Sequence, residues 1–299
     1  MTSPSRHTLR RAAGAVVAVA AALTLAACSS GSSGSGTTTT AATSSAAASA
    51  SASASKASGS AAPSSSAAPA APAATGALTV FAAASLKATF TEIGQTFEQQ
   101  NPGATVTFNF AGSSDLVTQL ASGAPADVFA SADENNMTKA TTGGVIEGTP
   151  VNFASNTLTI VIPPGNPKGV TGFADLTKPD LQVVVCAPQV PCGSATQKVE
   201  QNTGVTLTPV SEESSVTDVL NKVQTGQADA GLVYVTDATG AGDKVTEVPF
   251  PESVGVVNVY PIATVKGGPQ PELAGKFIEL VTGPDGQQIL KDAGFQPAP

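Results

Sequence analysis

Apolar residues along this chain switch between two rhythms, and each switch marks a strand giving way to a helix. Residues 78–82 are apolar but for Thr79, the pattern of a buried strand. Beyond it Leu86, Phe90, Ile93 and Phe97 recur every three or four residues, which predicts a helix ended by Asn101-Pro102-Gly103. Residues 105–110 alternate like a strand. Leu116, Val117 and Leu120 then mark a helix that starts near Ser113 or Ser114 and stops at Gly123. A third short strand at 126–130 leads to a helix capped by Asp133. A second set follows, with strands at 157–162 and 182–186 and helices at 194–201 and from Thr217 to Gly226. Strands at 230–235 and 258–265 come next, before two helices around 273–281 and 286–293. This alternation predicts an α/β fold. The expected arrangement is two lobes of mixed, mostly parallel sheet flanked by helices, lobe 1 from about 78–156 and 258–299, lobe 2 from about 157–257.

The N-terminal segment follows other rules. All three arginines (Arg6, Arg10, Arg11) and the only histidine (His7) fall in the first eleven residues, ahead of an apolar run that ends at Cys28. A basic start, an apolar stretch and small residues before a cut describe an export signal over 1–27. Leu25-Ala26-Ala27-Cys28 is similar to a lipobox, in which Cys28 becomes a lipidated N-terminus; an ordinary signal with a chance cysteine is the alternative. The run is short for a membrane span. Residues 28–77 are nearly all Ser, Ala, Thr, Gly and Pro, with Lys56 their one charge. That composition cannot bury enough surface to offset ordering, so a disordered tether is expected, with a folded domain at 78–299.

Charge narrows the chemistry. Without the signal, eleven lysines face twenty-two acids, a net charge of −11, with no arginine, histidine or tryptophan. Nucleic acid is a poor partner for such a surface. A Ser-His-Asp or Cys-His nucleophile cannot be built, nor a histidine-ligated metal site. Paired carboxylates for a hydrolase remain available in principle. Ser85 and Ser113, each at a strand-to-helix turn, are the more informative residues. A hydroxyl there sits beside unpaired N–H groups and the positive end of a helix dipole, a setting suited to an anion beyond the carboxyl ends of strands.

Several segments together carry a family resemblance. Val80-Phe-Ala-Ala-Ala-Ser-Leu86, Phe110-Ala-Gly-Ser-Ser114, Gly123-Ala-Pro-Ala-Asp-Val-Phe-Ala-Ser-Ala-Asp133 and Gly231-Leu-Val-Tyr234, with Tyr260-Pro261, Gly283-Pro-Asp-Gly-Gln287 and Ala293-Gly-Phe295, resemble the molybdate-binding proteins of ABC importers, the ModA type. The resemblance implies a type II periplasmic-binding-protein fold that closes on its ligand, no enzymatic activity and no cofactor. It implies an oxyanion, molybdate and also tungstate, held by hydroxyls and N–H groups without counter-charges and with no other metal. Carried over, Ser85 and Ser113 contribute from lobe 1, and the N–H of Cys192, the N–H of Val216 and the hydroxyl of Tyr234 from lobe 2. The family more often has a small residue where Cys192 stands. The implied partners are an ABC permease and, through Cys28, the outer face of the cell membrane, with the protein acting as a monomer. Sulfate or phosphate is the alternative cargo, and a secreted hydrolase the more distant one.

The residues admit plainer roles. Ser85, Ser113 and Ser114 could be helix caps, Ser114 above all. Tyr234 could be a core tyrosine. Asp127 and Asp133 read as structural, since an acid beside a dianion is unfavourable. With Cys28 on lipid, Cys186 and Cys192 remain as an even pair in an oxidising compartment, which favours a disulfide over a redox pair. A site made only of donors would prefer a fully deprotonated dianion, and size would have to separate molybdate from sulfate.

Overall fold

The computed structural model describes residues 75–299. The signal over 1–27, the lipidation of Cys28 and the tether as far as residue 74 lie outside the described residues. The first strand, β1 (Gly76–Ala83), begins inside the expected tether boundary, because Gly76 already pairs with Ala104. It is followed by α1 (Lys87–Gln100), β2 (Ala104–Ala111), α2 (Ser113–Ala121), β3 (Val128–Ala130) and α3 (Glu134–Thr142). The long β4 (Ile146–Ile162) leads to β5 (Val183–Cys186), α4 (Pro191–Thr203), β6 (Ser211–Glu213), α5 (Val216–Gln224), β7 (Ala230–Tyr234) and α6 (Val235–Ala241). Then come β8 (Thr246–Val248), β9 (Val257–Val265), α7 (Pro271–Thr282) and α8 (Pro284–Asp292).

The strands order as β2-β1-β3-β9-β4-β7-β5-β6, with β8 also on β4. Pairing is parallel in β1–β2, β1–β3, β5–β6 and β5–β7. It is antiparallel wherever β9 or β4 takes part. Two parallel βαβ segments are therefore joined through two long antiparallel strands. The register of β4 on β9 shifts twice, between Glu147 and Val151 and between Asn152 and Ala154. Such bulges bend a strand, and β4 continues past them to pair with β7 and β8.

Phenylalanines anchor the packing around β1 and β9. Phe277 of α7 meets Phe90 and Phe97 of α1 edge-on at centroid distances of 5.8 and 5.5 Å. This geometry suits the ring quadrupole and adds to the area each ring buries. Phe173 and Phe250 stack at 5.4 Å beside the other half of the sheet. Asp127 is structural, as its sequence context suggests: its carboxylate accepts from the N–H of Thr79 at 2.8 Å and of Gln270 at 2.7 Å. Asp133 caps α3 by accepting from the N–H of Asn136 at 2.9 Å.

Candidate functional site

The turns that leave β1 and β2 carry the two serines. After Ala83 the chain makes a single 3-10 turn, Ala84–Leu86, before α1 begins. Ser85, in the middle of that turn, does not cap the helix. Its Oγ lies 3.0 Å from the Tyr260 hydroxyl on β9. Gly112 takes the N-cap position of α2, so Ser113 is already helical and its side chain is free to reach across. Ser113 Oγ accepts the backbone N–H of Ala132 at 3.0 Å. The expectation that Ser114 is the pure cap fails: its hydroxyl is buried and has no partner among the described residues.

The other half of the sheet supplies helix starts. Pro191 opens α4, which places Cys192 in its first turn, where N–H groups have no carbonyl one turn earlier to bond. Cys192 Sγ is bonded to Cys186 Sγ at 2.05 Å, tying that turn to the end of β5. Ser215 caps α5, accepting the N–H of Asp218 at 3.3 Å, and Val216 is the first helical residue. Tyr234 ends β7 and is 1% exposed. Its hydroxyl accepts from Asn258 Nδ2 at 2.9 Å.

Ser85, Ser113, Cys192, Val216 and Tyr234 line one small cavity, with Ala83, Ala84, Gly112, Ala132, Val190 and Pro191 completing the wall. The lining contains no lysine, aspartate or glutamate. Burial raises the Tyr234 hydroxyl well above its usual range, and burial also raises Tyr260, so both phenols stay protonated. The nearest acids are turned into the protein. Asp133 Oδ1 faces Asn136, and burial pushes the Asp133 carboxyl up. Asp237 keeps some exposed surface as a residue. Its carboxyl is nevertheless enclosed, accepting the Tyr234 N–H at 3.0 Å, and burial pushes it up to about 7.

Asn258 and Tyr260 escaped the sequence reading as parts of the site. They stand two apart on β9 and hold two of the cavity hydroxyls. The signal was present: an amide and a phenol share one face of a strand whose other positions are largely apolar.

The arrangement defines a class before it defines a protein: a binding cleft at strand ends, with donors and no catalytic base. Residues 78–296 match the family described as "Bacterial extracellular solute-binding protein". The chain is 59% identical over 218 residues to the molybdate-binding protein ModA of Mycobacterium tuberculosis, covering 73% of this chain and 84% of that one. It is 31% identical over 230 residues to the ModA protein of Escherichia coli, covering 74% and 89%. The periplasmic molybdate-binding protein of Azotobacter vinelandii superposes with a TM-score of 0.63 over 73% of this chain and 98% of that one, at 24% identity, a likeness of fold. The chain belongs to the bacterial extracellular solute-binding proteins and, within them, to the ModA type. Its working place is accordingly outside the cytoplasm. Among the described residues no helix is long and apolar enough to cross a membrane.

Proposed function

We propose that this protein is the molybdate-capturing component of an ABC importer, which takes the oxyanion outside the cell and hands it to a membrane permease. Its family is one of binding proteins, and no reaction needs to be assigned to it. The observation that carries the reading is the convergence of Ser85, Ser113, Cys192, Val216 and Tyr234 on one cavity without a charged wall. On this reading three hydroxyls and the N–H groups of Cys192 and Val216 surround the anion. Hydrogen bonds to a charged partner contribute roughly 1.5–3 kcal/mol each. Five or more, less desolvation and closure, suffice for a sub-micromolar dissociation constant, beyond about −8 kcal/mol. A protein of net negative charge cannot draw an anion by its long-range field, so these short contacts must do the work.

The finer parts of the proposal rest on chemistry. Tungstate has the same charge and shape as molybdate and should bind as well. Two lobes, divided near residues 157 and 258, would close on the ligand and present the closed form to the permease. Lipid on Cys28 and the Ser/Ala-rich segment behind it would hold the protein at the outer face of the membrane as a monomer.

A thermal-shift panel on residues 29–299 tests this reading, with molybdate, tungstate, sulfate and phosphate. Saturation at about 1,000 times the dissociation constant adds about 4 kcal/mol. For a chain of this size that is a rise of roughly 8–16 °C. The expected result is such a shift with molybdate and tungstate alone. A shift with sulfate or phosphate instead would replace the cargo, and none with any anion would overturn the reading.

A further inference from the structure

Two asparagines stand side by side on the central strands, where apolar residues would be expected. Asn156 of β4 pairs in register with Asn258 of β9, and both are buried, at 2% and 6% exposure. The pair lies where the halves of the sheet are joined. Further along β9, Ile262, Ala263 and Thr264 pair with β3, whereas Leu158, two residues further along β4, pairs with Tyr234 of β7. A buried amide is costly unless its hydrogen bonds are made. Asn156 Nδ2 donates to Thr236 Oγ1 of α6 at 2.8 Å. Asn258 Nδ2 has three acceptors in reach: the carbonyl oxygen of Ala132 at 2.9 Å, the Tyr234 hydroxyl at 2.9 Å and the carbonyl oxygen of Pro191 at 3.5 Å. The Ala132 carbonyl can only accept, which fixes the amide with its nitrogen on that side.

These acceptors lie in different halves. Ala132 follows β3, whereas Pro191 opens α4 and Tyr234 ends β7. One amide nitrogen thus ties the halves to each other from the strand between them. Moving them apart must break its bond to Ala132 or its bond to Tyr234. The same nitrogen links two residues of the cavity. Ala132 donates its N–H to Ser113 Oγ at 3.0 Å, so an unbroken hydrogen-bonded path runs from Ser113 through Ala132 and Asn258 to Tyr234. Both ends of the path line the cavity, one from each half. We propose that Asn258 is the positioning residue that couples closure of the halves to placement of the Tyr234 hydroxyl, and thereby slows release of the bound oxyanion. The proposal rests on the reading of the cavity as an oxyanion site that closes, and adds to it a residue outside the lining. An anion that bridges Ser113 and Tyr234 completes a ring of hydrogen bonds through Asn258, in which each bond strengthens its neighbours.

The test measures release. The full mature chain in detergent is loaded with labelled molybdate, chased with unlabelled anion and filtered, while calorimetry gives the dissociation constant and hence the association rate. Asn258→Leu removes both donors at similar volume. It should speed release by at least about tenfold while association stays within about threefold of the wild type. Tyr234→Phe cuts the same path at its end, so adding Asn258→Leu to it should speed release by no more than about threefold further. Phe277→Leu, a core change in α7 outside the cavity wall, should lower the melting temperature and leave release unchanged. In the wild type, NMR of the same chain without its lipid should find the Asn258 side-chain amide protons exchanging at least about tenfold more slowly with molybdate than without it.

Unchanged release from Asn258→Leu, equal acceleration by Phe277→Leu, or accelerations that multiply in full in the double variant would overturn the proposal. So would equal exchange of the Asn258 amide with and without molybdate, a result that needs no variant to fold. The expected pattern with sulfate in place of molybdate would replace the cargo and leave the coupling standing, whereas a wild type that holds no oxyanion would overturn the functional reading and the proposal with it.

Discussion

At the scale of single residues, the serines are the sharpest test of the site. Ser85 and Ser113 use their side chains on Tyr260 and Ala132 and make no helix cap. Ser85→Ala or Ser113→Ala should therefore weaken molybdate binding by roughly 1.5–3 kcal/mol, and should also lower the unliganded melting temperature, because each leaves a buried hydroxyl or N–H without its partner. Titration calorimetry beside a melt checks both halves, and unchanged affinity would remove the residue from the site. Asp237 gives a prediction in pH. Its carboxyl is held up to about 7 from an ordinary value of 3.8. Between those values the unfolded chain has lost a proton that the folded chain keeps, so the group's contribution is complete at low pH and is lost as pH rises through 7. Asp237→Asn keeps an acceptor for the Tyr234 N–H without the charge. Its melting temperature relative to wild type should climb from about pH 5 to pH 8; a flat difference would show that the buried charge is accommodated. The two serines were legible because a turn hydroxyl after an apolar strand is a local pattern. Tyr260 and Asn258 were not, because their role exists only once β9 lies between β3 and β4, one strand away from β1 on one side and from β7 on the other.

At the scale of elements, Cys186 and Cys192 join the end of β5 to the first turn of α4, across a sequence separation of 6. Closing so short a loop stabilises by about 2 kcal/mol in the chain-entropy account. Reduction should lower the melting temperature by roughly 4–8 °C. It should also weaken oxyanion binding, because the braced turn carries the Cys192 N–H. Mass spectrometry of the native protein should find no free thiol at either position, and two free thiols would dispose of the brace. Most helices and the central strands were readable from the sequence, since their apolar spacing is long and regular. Only the second half of β4 showed itself, as 157–162. Its first half has exposed residues around Gly148 and two register shifts, which break the alternation a strand would otherwise display. The edge strand β6 is Ser211-Glu212-Glu213, with no apolar residue to announce it. Short α6 follows β7 directly and was hidden by that strand's apolar run.

At the scale of the whole molecule, the two halves of the sheet approach each other at the cavity with backbone against backbone. A Cβ added to Gly112, between β2 and α2, would lie 2.1 Å from the carbonyl oxygen of Ser214, which precedes α5. Nearby, Asn136 Nδ2 of α3 donates to the Gln189 carbonyl at 3.3 Å, a second contact between the halves. Gly112 has φ −59° and ψ 140°, a conformation open to any residue, so alanine there would suffer no local strain. Only the approach of Ser214 forbids it. Gly193 differs: its added Cβ would meet the carbonyl oxygens of Ala187 and Cys186 at 2.0 and 2.5 Å, within one half of the fold. Gly193→Ala should therefore lower the melting temperature with or without ligand. Gly112→Ala should leave unliganded melting near the wild type yet reduce molybdate affinity by at least about tenfold, since the halves can no longer meet around the anion. Calorimetry and melting of the two variants side by side separate these outcomes. Full affinity in Gly112→Ala would mean that the ligand is held with the halves further apart than they stand here, whereas loss of affinity without loss of fold would identify this contact as the stop against which the protein closes.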